Sequence, residues 1–302
     1  MRRGAVIGIA AAATALAVGG LATAWLLNRP ASADAVAADY LDALAAGDAD
    51  RAVALLAQPP DADAMAAFAG AAETIDDGRV VDVSPADDGR SRAELSFRLE
   101  DHTHTVSVSL IDTSDGWRLE GDALGALVAE TSIGDTVRIG DSSVAAGEAV
   151  PLLPAVYTVQ ASPVGLLDGQ ATVAVVPGAQ AKAAISASVA PGAADRAQEQ
   201  LEAYADQCAQ PAAEVPDACG IVVPWQADLA TLERIAFRIE RMPVVELSAD
   251  GRGFDATGGV LVATAYGTTP AGDDGSATYR TDAWALRGSV EFTDDRMVLT
   301  VR

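Results

Sequence analysis

A chain of 302 residues with 43 acidic against 20 basic side chains carries a formal net charge of −23, and such a surface repels nucleic acid and anionic lipid headgroups. The length allows two or three exported units at roughly 100–200 residues per domain, and half of the residues are hydrophobic. The two cysteines have no histidine close in sequence, which leaves a cysteine-based metal site short of ligands.

Gly4–Leu27 contains no charged residue. As a helix, about 24 residues rise roughly 36 Å, enough for a hydrocarbon core of about 30 Å. Arg2 and Arg3 precede the run and Trp25 sits at its exit, which predicts a signal anchor with its N-terminus in the cytoplasm. A cleaved signal peptide is the other reading, since Ala31-Ser32-Ala33 fits the small-x-small rule. The apolar run is longer than an ordinary signal core of about 7–15 residues, which favours the anchor. Both readings export the remainder. Heavy alanine use with Lys182 as the single lysine looks like the coding bias of a high-GC bacterium.

After a linker at 28–33, Asp34 is the expected N-cap of a first helix, with Val36, Tyr40, Leu41 and Leu44 on one face and Gly47 ending it. Asp48 or Asp50 caps a second helix, which Pro59-Pro60 stops. A third helix is expected over Asp63–Thr74. The period then changes to two at Val81 and Val83, over Ala93–Leu99 and over Thr105–Ile111, and Asp115-Gly116 turns into Trp117-Arg118-Leu119. Helices followed by an antiparallel sheet predict an α+β layout. The pattern Tyr40-Leu41-x-Ala43-Leu44, Gly47-Asp48, Ala52 and Leu55-Leu56, with Asp115-Gly116-Trp117 later, resembles nuclear transport factor 2-like domains of bacterial envelope proteins. The resemblance covers 34–125. It implies a curved sheet wrapped by helices, whose pocket some members use for ligands or catalysis.

From Thr136 the chain reads as β-rich: Val137–Gly140, Val144–Val150, Leu152–Val159 and Ala171–Val176. Pro154 before Val156-Tyr157-Thr158-Val159 is similar to small β domains of bacterial surface proteins, with Ala155 where their glycine usually stands. Ala193–Cys208 is the next helix, with Leu201, Tyr204, Ala205 and Cys208 on one face. Ile221-Val222-Val223 and Pro224-Trp225 lead into a final sheet, with strands expected near Ile235–Ile239, where Leu232, Ile235 and Ile239 also fit a helix, and near Val244–Leu247, Gly259–Ala265, Ala277–Trp284, Leu286–Phe292 and Met297–Val301. The resulting layout is a cytoplasmic stub (1–3), a transmembrane helix (4–27), the linker (28–33), the nuclear transport factor 2-like α+β domain (34–125), a small β domain (126–190) and a disulfide-containing α+β domain (191–302).

Cys208 and Cys219 are an even pair in an exported chain and read as a disulfide. His102 and His104, with Glu100, share one face of a strand, a spacing that can bind metal; a polar hairpin end is the favoured reading, because a site needs three or four fixed ligands. Ala249–Asp255 mixes acids and glycines like a calcium loop but lacks the spacing and distal glutamate, so it reads as a turn. No serine elbow or phosphate-cradling glycine loop occurs. No catalytic residue, cofactor or metal is assigned. The expectation is a non-catalytic, single-pass envelope protein that binds or scaffolds outside the membrane. Its partners are the membrane, through the N-terminal helix, and an envelope or cell-wall component, with no nucleic acid. The alternative is a ligand or enzyme pocket in the 34–125 domain.

Overall fold

A computed structural model describes residues 31–302. The expected stub and transmembrane helix, 1–3 and 4–27, lie outside the described residues. Among those, no helix is long and apolar enough to cross a membrane.

Three short helices open the fold: α1 (Ala33–Ala45), α2 (Ala49–Ala54) and α3 (Ala62–Ala69). Ser32 caps α1 through a bond from the Ala35 N–H, in place of the Asp34 cap expected. Asp48 and Asp61 cap α2 and α3 in the same way. The third helix stops at Ala69 rather than Thr74, because Gly70 caps it and Ala72 and Glu73 bond to Val156 instead. Next comes an antiparallel meander of β1 (Asp76–Pro85), β2 (Arg90–Leu99), β3 (His102–Thr113) and β4 (Gly116–Leu119). Tyr40, Leu44, Phe68, Leu95, Phe97 and Leu110 fill the space between helices and sheet.

The middle of the chain forms β5 (Gly125–Thr131), β6 (Thr136–Ile139), β7 (Ser142–Ala145), β8 (Ala149–Leu152), β9 (Ala155–Ala161), β10 (Leu167–Asp168), β11 (Gln170–Val175), β12 (Gln180–Ile185) and β13 (Ser188–Val189). One sheet has the order β11-β9-β6-β7; another, β12-β5-β8, contains the parallel pair β5–β12. The strand expected over Val144–Val150 is broken by a turn, with Gly147 at φ +83°, into β7 and β8. Helix α3 docks on this part so closely that a Cβ on Gly140 would clash with the Ala67 carbonyl oxygen.

Helix α4 (Pro191–Cys208) begins with proline at its first turn and buries Ala193, Ala197, Leu201, Ala205 and Cys208, a stripe near every fourth residue. The last sheet comprises β14 (Arg234–Arg241), β15 (Val244–Leu247), β16 (Gly253–Thr268), β17 (Asp274–Phe292) and β18 (Met297–Val301), in the order β14-β16-β17-β18 with β15 also on β16. The strands expected at Ala277–Trp284 and Leu286–Phe292 are one continuous strand. Residues of all three expected units share one hydrophobic core.

The α+β expectation is corrected: the described residues are 49% strand and 19% helix, a mostly β architecture. The helices predicted from period and caps are present, but apart from the 18 residues of α4 they run only 13, 6 and 8 residues. The excess strand comes from alanine-rich stretches such as Gly125–Thr131 and Gln180–Ile185, where sheet pairing overrides alanine's helix preference.

The β2–β3 hairpin turns through Glu100 and Asp101, both in the left-handed region at φ +49° and +60°. That two-residue geometry favours Asn-Gly. Glu100→Asn with Asp101→Gly is expected to stabilise the fold by about 1 kcal/mol. Thermal unfolding measures this, and a lowered midpoint would contradict it.

Candidate functional site

Tyr40 and Tyr157 are fully buried, and their hydroxyls donate to the carbonyls of Ala123 at 2.8 Å and Leu153 at 2.6 Å. Burial raises both phenols well above their ordinary range, and Tyr157 adds to the effect on Tyr40. Neutral phenols bonded to carbonyls lock the packing around them. Buried apolar side chains, Leu44, Phe68, Leu95, Phe97 and Leu110 among them, fill the interior between helices α1–α3 and the β1–β4 meander.

The histidines are separated from their third candidate ligand. Glu100 belongs to the turn, and its carbonyl oxygen lies 2.7 Å from His102 Nδ1. His104 stacks on Phe97 with ring centroids 5.6 Å apart. No group of three or more metal-ligating side chains occurs among the described residues. In Ala249–Asp255, Ser248 Oγ donates to Asp250 at 2.6 Å and the Arg252 N–H donates to the same carboxylate at 3.1 Å. These bonds hold the Asp250 carboxyl below its ordinary range and close a turn with Gly251 at φ +67°.

Cys208 and Cys219 stand at disulfide distance, with S–S 2.07 Å. The pair ties the end of α4 to a segment that crosses one face of the β16–β17 hairpin. Trp284, 1% exposed, donates from Nε1 to the Cys219 carbonyl at 2.9 Å. Tyr204 donates to the Ala218 carbonyl at 2.9 Å. Leu229, also buried, covers the hairpin further along. Tyr279 reaches Asp228 at 2.7 Å, and partial burial followed by that carboxylate pushes its phenol up to about 12.

Between this segment and the sheet runs a groove of about 200 Å³ lined by Ile221, Val222, Pro224, Leu261, Ala263 and Tyr279. Val222 is 90% exposed at its lip. A larger cleft of about 620 Å³ lies over Glu246, Asp255, Arg287 and Arg302. Its closest ion pair, Arg287–Asp255, spans 4.0 Å with both side chains in solvent, so water screens it.

Sheet edges near α4 are treated unequally. Gln198 donates to the Pro243 carbonyl at 3.1 Å and accepts from the Val245 N–H at 3.0 Å, covering the edge of β15. Gln200 does the same to β18, through Met297 at 2.8 Å and Leu299 at 3.2 Å. The outer side of β17 before Trp284 has no strand beside it among the described residues. Comparison of the chain with family models, curated proteins and solved structures finds no match. The groove and the bare strand are therefore read from their own chemistry: apolar surface beside unpaired main-chain groups, a combination that accepts an extended polypeptide. Sequence reasoning placed β17 as two strands and put Val222 at the entry to the last sheet, where the structure has no strand, and it missed the open edge. Alternation reports which face is buried, and nothing local reports which neighbour a strand lacks.

Proposed function

We propose that this chain is a membrane-anchored bacterial envelope protein whose exported region binds or scaffolds other polypeptide without catalysing a reaction. The observation that supports it most is that the two cysteines, Cys208 and Cys219, pair with each other, since structural disulfides persist in oxidising compartments outside the cytoplasm. The apolar run Gly4–Leu27 behind two arginines supports the anchor and its orientation. The kinship of 34–125 with nuclear transport factor 2-like domains is part of the proposal and is supported by Asp115-Gly116-Trp117 and the Tyr40 motif. The bare edge of β17 supports a role in binding polypeptide. The acidic surface favours solubility and cationic partners and disfavours nucleic acid.

Topology is the direct test. Alkaline phosphatase fused after Arg302 is expected to be active, and a cytoplasmic reporter at the same position inactive. The reverse pattern would sink the proposal.

A further inference from the structure

We propose that the open edge of β17 pairs antiparallel with the same strand of a second copy, centred on Ala277. The inference deepens the binding role and rests on that reading for its biological setting only.

The register shows which main-chain groups are free. The Thr269 N–H donates to the Asp273 carbonyl at 2.8 Å at the hairpin tip. Hydrogen-bonded and non-bonded pairs alternate in an antiparallel ladder. The bonded pairs are therefore Gly267–Gly275, Ala265–Ala277, Ala263–Tyr279 and Leu261–Thr281. The residues between them, Asp274, Ser276, Thr278 and Arg280, turn their N–H and carbonyl groups outward, and all four are exposed. The segment covering the hairpin donates no main-chain hydrogen bond to them.

The strand matches itself. Read against its own reverse about Ala277, Asp274-Gly275-Ser276-Ala277-Thr278-Tyr279-Arg280 sets Asp274 opposite Arg280 twice and Ser276 opposite Thr278 twice. Gly275 puts no side chain against Tyr279 of the other copy. Opposite charges directly across a ladder are favourable, and like charges there are not. A register centred on Thr278 would put Asp274 against Asp282, which the charges oppose. The same parity makes the outward residues of both copies the bonded pairs, so each free N–H meets a free carbonyl. Arg280 Nε is held by Glu240 at 3.1 Å, and its terminal nitrogens remain for Asp274 of the second copy. Glutamines of α4 cover β15 and β18, and this stretch of β17 has no such cover.

The test uses the full chain in detergent with a mild oxidant, so its result does not depend on topology. Ala277 falls in a non-bonded pair with itself, where Cα atoms lie about 4.5 Å apart, within the roughly 4.4–6.8 Å that a disulfide spans. Ala277→Cys is expected to form a covalent homodimer at least roughly tenfold faster than Ala271→Cys at the hairpin tip, because pairing raises the local thiol concentration. Adding Thr278→Pro should abolish that advantage. It removes an outward N–H and leaves the bonded pairs with β16 intact. Intact mass with the Cys208–Cys219 pair still oxidised verifies folding. Equal rates for the Ala277→Cys and Ala271→Cys variants, crosslinking that survives Thr278→Pro, or an introduced thiol joined to a different polypeptide would each overturn the proposal. A failed phosphatase fusion alongside a specific homodimer crosslink in the Ala277→Cys variant would overturn the export reading and leave the pairing in place.

Discussion

Replacing Trp284 with alanine is expected to cost about 3–5 kcal/mol of stability, the largest effect of any single substitution considered for this chain. The indole is 1% exposed on the covered face of the last sheet. Its loss opens a cavity and leaves the Cys219 carbonyl without its donor. Trp284→Phe separates the two contributions: it keeps most of the buried ring and loses the hydrogen bond, a difference of about 1 kcal/mol. Denaturant unfolding followed by near-ultraviolet circular dichroism reads both. An alanine variant within about 1 kcal/mol of the parent, judged against the expected range, would show that the segment above Trp284 contributes little to packing.

Changing Cys208 and Cys219 together to serine is expected to lower stability by about 2–3 kcal/mol, because the bridge removes freedom from a short loop of the unfolded chain. The damage should concentrate in the segment over the β16–β17 hairpin, where hydrogen exchange would rise first. Helix α4 should keep its place through Gln198 and Gln200. Unchanged denaturation midpoints would mean the segment is held by Trp284 and Leu229 alone. Two free thiols in protein purified from the envelope would remove the bridge from the account, and with it the main support for export.

What could be read in advance follows from the range of each signal. Caps and 3.6-residue periods act within a few residues, so α1, α2 and α4 were legible from Gly47, Asp48, Pro191 and the stripe from Leu201 to Cys208. The disulfide was legible because only one pairing exists. Strands β5 and β12 were not, because Ala126, Ala129, Ala183 and Ala184 carry no β signal and the strands pair with partners remote in sequence. Length of pairing was equally hidden: β17 runs past Trp284 because β16 accompanies it, although the ladder shifts register near Gly259. The candidate edge needed the whole sheet order, since a bare side is a property of neighbours.

The parallel pair β5–β12 also sets a schedule. A ribosome delivers Gly125–Thr131 about 50 residues before Gln180–Ile185, a wait of roughly 3–10 s at about 5–20 residues per second. The antiparallel partner β8 arrives sooner and covers one side. The other side must stay bare until β12 emerges. Small side chains at Ala126 and Ala129 and the charge of Glu130 make that waiting strand a poor template for neighbouring nascent chains. The weak β character that hid β5 from sequence reasoning protects it during synthesis.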